Sequence, residues 1–289
     1  MRADILDFYR SQDAMTGLGD HAAAVLALPS DLPAVAHTVQ GLLLHEHWAP
    51  AYGQTLSDAR RSETHTRLAA AMLDLALAHD PKPLGEARAL EDRVIGTCRN
   101  FTVLAVAILR AHGVPARARC GFASYFEPGK MVDHWVVEAW DGVRWVQADT
   151  QLDALQASRI HPDFEPLETP RDRFVIAGEA WRQCRAGEAD ASAFGIMHMT
   201  GLWFIGGNVV RDAASLAGVP MLPWDCWGAM PGPDGVVTAD QGAFLDRLAE
   251  LTIDPDAHFD ELQRLYRDDD RLRRPGQVLN AVRGQVEAV

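Results

Sequence analysis

Residues 96–115 read GTCRNFTVLAVAILRAHGVP, and this stretch decides the fold. Thr97 to His112 has the marks of a helix. Its apolar residues Phe101, Val103, Leu104, Val106, Ile108 and Leu109 fall on nearly every face, the pattern of a helix buried on all sides. Gly113-Val114-Pro115 supplies the stop, because glycine accepts the left-handed turn past a helix end and proline cannot extend the ladder. Cys98 stands in the first turn, where backbone N–H groups and the helix dipole favour an anion. A thiol held there ionises more readily than a free one, and the thiolate is the nucleophilic form. A small buried hydrophobe is the other reading of a lone cysteine, so the segments that follow have to decide.

Three strand-like runs come next, Ala116 to Phe126, Asp133 to Trp140 and Val143 to Thr150. Asp141-Gly142 between the last two is a strong short-range hairpin signal. A two-residue turn there pairs Trp140 with Val143 and sets His134 directly opposite Asp149. Directly paired residues share a face, with Cβ atoms about 4.5–5.5 Å apart. A carboxylate so placed fixes the imidazole tautomer and stabilises imidazolium when it forms. Packing gives no reason for that pair. Nucleophilic catalysis does, since it needs a thiolate, a base and a group that orients the base. A one-residue bulge would break this register.

Gly96-Thr97-Cys98-Arg99-Asn100-Phe101 with Leu109-Arg110 and Gly113-Val114-Pro115-Ala116-Arg117 resembles the nucleophile segment of the transglutaminase-like superfamily. Asp133-His134-Trp135-Val136-Val137-Glu138 resembles its histidine strand, and Trp145-Val146-Gln147-Ala148-Asp149 its aspartate strand. Three motifs in the right order over about sixty residues are far more specific than any one alone. Thr97 departs from the pattern, where many relatives carry Asp or Asn, and leaves the triad intact. The resemblance implies an α+β, papain-like fold with a central helix packed on an antiparallel sheet. It implies Cys98 as nucleophile, His134 as base and acid, and Asp149 as orienting carboxylate. Gly178-Glu179-Ala180-Trp181 and Leu222-Pro223-Trp224-Asp225-Cys226-Trp227-Gly228 look similar to segments of bacterial relatives but carry no mechanism.

Outward from this core, residues 1–80 read as helical. Asp31-Leu32-Pro33 starts one helix with a cap and a proline, and Ser62 to His79 forms another that Asp80-Pro81-Lys82-Pro83 ends. Beyond residue 152 the chain turns proline-rich. Helices are expected around Phe174–Arg185 and Gly201–Leu216, and amphipathic ones at Ala239–Leu251 and Asp256–Tyr266. The expected organisation is one domain over 1–289, with a catalytic core at about 62–155, a helical extension over 1–61 and a second extension over 156–289. A formal net charge of −13 argues against nucleic acid as a partner. No apolar run reaches the roughly 20 residues that span a bilayer. Four widely spaced cysteines and no apparent leader point to free thiols and a cytoplasmic address.

His45, Trp48, Tyr52 and Trp135 are candidates for the oxyanion site or substrate cleft, beside the backbone N–H of Cys98. His45-Glu46-His47 is read as a helix end, where positions two apart do not face each other, so neither a metal nor any other cofactor is expected. Cys120 reads as a packed strand residue. The expected activity is hydrolysis of an amide or peptide bond through a thioester on Cys98. Transfer of the acyl group to an amine is the alternative, and a non-catalytic binding protein of the same fold is the third reading. The expected partners are a small-molecule or peptide amide and, for transfer, an amine acceptor; oligomeric state stays open.

Overall fold

A computed structural model describes residues 1–233 and 235–289. Helices and strands are mixed throughout, giving an α+β fold. The chain forms two compact units, each discontinuous in sequence. One comprises Arg2–Ala118 and Val136–Thr169, the other Met1, Arg119–Trp135 and Pro170–Val289. The chain passes between them inside two strands, Ala116–Ala123 and Met131–Trp140.

The first unit holds α1 (Ala3–Arg10), α2 (Ala22–Leu26), α3 (Leu32–Leu42), β1 (Leu43–His45), α4 (Asp58–Arg61), α5 (Ala69–His79), β2 (Val94–Gly96) and α6 (Cys98–Ala111). The start of β3 (Ala116–Ala123), the end of β4 (Met131–Trp140), β5 (Trp145–Ala148) and α7 (Ala154–Ile160) complete it. Helices α1, α2, α3 and α5 and strand β2 pack around α6. Every residue from Cys98 to Arg110 is accordingly buried, as the all-round apolar pattern requires. Helix α3 starts at its expected cap, Asp31 accepting from Ala34 N–H at 2.9 Å.

Two local expectations fail here for visible reasons. Ser62 to His79 is not one helix: Ser62–His65 is a 3-10 turn, and α5 begins only at Ala69. The Thr66 carbonyl accepts from Asn100 Nδ2 at 2.9 Å, and Glu63 accepts from Ile95 N–H at 2.8 Å and pairs with Arg60 and His79. Arg67 O accepts from Arg99 and Ala69 N–H donates to Met15 O at 2.8 Å, so tertiary partners have taken backbone groups that a continuous helix would have used. His45 likewise ends a strand, not a helix. Strand β1 runs parallel to β2 with His45 facing Gly96, and Glu46 N–H extends the pairing to Gly96 O at 3.0 Å.

The hairpin forms with a shifted register. Trp140 faces Trp145 and Val137 faces Ala148, so Asp141 to Arg144 make a four-residue loop. The Asp141 carboxylate accepts from Val143 N–H at 2.7 Å and Arg144 N–H at 2.8 Å, an Asx turn that stabilises the longer loop. A slip of two residues keeps every side chain on its face, because strand side chains alternate with period two. The ladder nevertheless stops at Val137–Ala148, so the direct pairing of His134 with Asp149 expected from a two-residue turn is not formed. Arg117 braces this hairpin, donating to Glu138 at 2.7 Å and lying 4.1 Å over the Trp145 ring.

The second unit contains the rest of β3 and β4 and then β6 (Phe174–Ile176), α8 (Ala177–Arg185), β7 (Phe194–Ile196), β8 (Met199–Thr200), α9 (Leu202–Leu216), β9 (Asp225–Cys226), α10 (Ala239–Ile253), α11 (Phe259–Asp268), β10 (Gln277–Asn280) and β11 (Gln285–Ala288). Its main sheet runs β6-β3-β4-β7-β8. Strands β4 and β7 are parallel, so the sheet is mixed where a wholly antiparallel one was expected. The four helices lie close to their expected positions, while the β9-β10-β11 sheet has no counterpart in the sequence reading. Helices α8, α9 and α10 pack on one another. Arg119 on β3 grips Asp212 on α9 in a buried fork at 3.0 and 2.8 Å, and Cys120 N–H donates to the same carboxylate at 2.9 Å. Among the described residues no helix is long and apolar enough to cross a membrane.

Candidate active site

The strand–helix junction at β2 and α6 sets the position of Cys98, the first residue of the helix and only 7% exposed. Thr97 leaves the strand in extended geometry and acts as the cap residue. Asn100 closes the junction. Its Oδ1 accepts from Thr97 N–H at 2.9 Å and from Thr97 Oγ1 at 3.0 Å, while its Nδ2 donates to Thr66 O. Gly96 makes room for this packing, since a Cβ there would sit 2.9 Å from the Asn100 Cβ. Arg99 Nη1 donates to Arg67 O at 2.7 Å and fixes the same turn to the segment before α5. The thiol therefore sits at the positive end of a rigid helix dipole.

Asp149 follows the last residue of β5 and is fully buried. Its N–H donates to Pro166 O at 2.7 Å, and its Oδ1 accepts from Gln151 N–H at 3.0 Å. Gln151 Nε2 continues to Gln156 Oε1 at 2.9 Å, and Gln156 Nε2 to Tyr52 Oη at 3.2 Å. Cys98 and Asp149 belong to the first unit.

His134 on β4 belongs to the second. It is 2% exposed and ringed by aromatic side chains. Phe126, Tyr125 and Phe174 meet its ring edge-on with centroids 4.8, 6.0 and 6.3 Å away. The residue before it, Asp133, accepts from Asn208 Nδ2 at 2.7 Å, and Asn208 Oδ1 in turn accepts from Arg211 at 3.0 Å. Burial pushes the Asp133 carboxyl above the usual carboxylate range, against the pull of Arg211 and Asn208.

The four cleft candidates separate. His45 is buried, and its ring lies 6.4 Å from that of Phe101. Phe101 is one turn after Cys98 on the same side of α6 and leans toward the helix start, so His45 borders the face that carries the thiol. His47 N–H donates to His45 Nδ1 at 3.2 Å, which puts the proton of the neutral ring on Nε2. Tyr52 has its hydroxyl committed, donating to Asp153 at 2.6 Å; burial first and then Asp153 push its pKa well up. Trp48 is half-buried and caps the short turn Ala49–Tyr52. Trp135 follows His134 on one strand, so the two point to opposite faces; it is 1% exposed and belongs to the core behind the histidine.

Cys120 is fully buried on β3, and burial pushes the Cys184 thiol up to about 11, so neither has the character of a nucleophile. His45 and His47 come within 5.6 Å ring to ring, yet among the described residues no group of three His, Cys, Asp or Glu side chains is arranged to hold a metal. A cavity of about 230 Å³ in the second unit, lined by Trp181, Arg185, Leu202 and Thr238 among others, contains no candidate nucleophile or base. Sequence reading missed Asn100, Tyr125 and Phe126. The first was detectable as a polar residue three positions after a Thr cap; the other two had been absorbed into a strand that in fact ends at Ala123.

Residues 53–150 match the model of the transglutaminase-like superfamily. No curated protein is significantly similar to the sequence. A solved structure of a candidate cysteine protease from Cytophaga hutchinsonii aligns with 61% of this chain at 16% identity and a TM-score of 0.37. The aligned part is 46% of that protein, so the chain spans less than half its length. Residues 53–150, the segment that holds Cys98, His134 and Asp149, are thus similar to the transglutaminase-like superfamily.

Proposed function

We propose that this protein is a cysteine-dependent acyl-transfer enzyme in which Cys98, His134 and Asp149 act together on an amide. The observation that carries the reading is the placement of Cys98, the first residue of a buried, rigidly capped helix, inside the segment that matches the superfamily. His134 takes the thiol proton, and the Cys98 thiolate attacks the carbonyl carbon to give a tetrahedral oxyanion. Asp149 holds the imidazole in its tautomer and stabilises the imidazolium.

The Cys98 N–H is the first oxyanion donor and His45 Nε2–H the second. The His45 tautomer and its contact with the Cys98 face of α6 support that assignment. Each such donor contributes about 2.7–4 kcal/mol to lowering the barrier. Collapse of the intermediate expels the amine, which takes the proton from His134, and leaves a thioester on Cys98. Water then releases the acid, making the overall reaction amide hydrolysis. The second reading passes the acyl group to an amine and shares every step up to the thioester.

Intact-mass spectrometry after incubation with a library of acyl amides and activated esters tests the proposal. The expected result is an acyl adduct on Cys98 that is absent in Cys98→Ala. An unmodified wild-type protein, or equal labelling of Cys98→Ala, would overturn it. Product analysis with and without added amines separates hydrolysis from transfer.

A further inference from the structure

We infer that Tyr125 and Phe126 form the wall that receives the leaving amine, and that this enzyme handles amines bearing an aromatic group. The inference rests on the triad reading above and concerns the substrate class of that site. Strand β3 ends at Ala123, which faces Phe174 across β6. Ser124 then clamps the chain, its N–H and Oγ both donating to Arg173 O at 2.9 and 3.2 Å. Tyr125 and Phe126 follow directly, with rings 4.7 Å apart. Both stand edge-on to His134 and both are half-buried, whereas Phe174, the third ring, is 1% exposed. Phe174 is therefore core packing, and the other two keep surface on which a ligand can lie.

Chemistry fixes which part of the substrate that is. When the tetrahedral intermediate collapses, the C–N bond breaks, its electron pair goes to nitrogen, and that nitrogen takes the proton held by the imidazole. The leaving nitrogen must then come within hydrogen-bond reach of His134, about 2.6–3.2 Å. Its substituent extends over the side chains around the imidazole, while the acyl group stays on Cys98. By microscopic reversibility an accepting amine occupies the same place. Aromatic rings there favour an aromatic substituent through burial and edge-to-face contact, and the ring quadrupoles favour an ammonium group on approach.

The test uses the full-length protein, acetylated on Cys98 with p-nitrophenyl acetate and then offered benzylamine or methylamine at equal free-base concentration. Mass spectrometry quantifies N-benzylacetamide and N-methylacetamide against the same reaction without enzyme. The wild type should favour benzylamine by roughly tenfold or more beyond the uncatalysed ratio, the size expected for moving a phenyl ring from water to an apolar wall. Tyr125→Ala and Phe126→Ala should each reduce that preference severalfold, and Phe126→Leu, which keeps apolar bulk, should retain more of it than Phe126→Ala. Equal capture of both amines, capture of neither, or an unchanged preference in all three variants overturns the inference and leaves the triad standing. A wild type that takes no acetyl group on Cys98 fails at the triad, and this inference falls with it.

Discussion

Asn100→Ala is the perturbation that most directly tests how the fold holds Cys98. Asn100 is 1% exposed, and its side chain accepts two hydrogen bonds from Thr97 and donates to Thr66 O and, more weakly, to the Met72 sulfur. Removing the side chain strands the Thr97 N–H in a 6%-exposed position, at a cost of about 1–3 kcal/mol for an unsatisfied buried donor. The Thr97 hydroxyl can rotate toward another acceptor and loses little. Thr66 O keeps a long contact to Arg99 at 3.4 Å, so the loss on that side is about 0.5–1.5 kcal/mol. Alanine's better helix propensity returns roughly 0.5 kcal/mol. The balance is a destabilisation of about 1–4 kcal/mol, read as a shift in urea midpoint at constant slope. The melting temperature should fall by about 2–7 °C. A change below about 0.5 kcal/mol would refute the argument that this side chain ties the Cys98 turn together.

Two further predictions concern the second unit. Asp212→Ala removes the carboxylate that Arg119 grips and that accepts from Cys120 N–H; it should cost about 3–5 kcal/mol in chemical denaturation, and a loss under 1 kcal/mol would show that this carboxylate is dispensable to the buried Arg119. Asp133→Asn probes the buried carboxyl beside His134. Because the folded state raises that pKa above its ordinary value of 3.8, the wild type loses stability relative to the variant as pH rises from below 3.8 through the raised folded value. Unfolding curves across pH 3–8 should therefore diverge in favour of Asp133→Asn toward neutral pH, and parallel curves would contradict the burial argument.

Local signals determined much of this chain. The all-round apolar run after Cys98 required a buried helix, Gly113 and Pro115 required its end, and Asp31 with Pro33 set the start of α3, because caps and periodicity act within one or two turns of chain. The order of Cys98, His134 and Asp149 was legible for the same reason: each lies in a short motif. What sequence could not set was decided by partners distant along the chain. The hairpin register is the exception, a local effect: it moved by two residues because the Asp141 side chain captured the amides of Val143 and Arg144 in its own loop. Ser62–His79 broke where Asn100, Arg99 and Met15 took the backbone groups of Thr66, Arg67 and Ala69. Only tertiary contact separated the cleft candidates: Phe101 brought His45 to the Cys98 face of α6, Asp153 committed Tyr52, and strand alternation turned Trp135 away from His134. The aromatic ring around His134 joins residues from three chain segments, and nothing local in any one of them specifies that they meet.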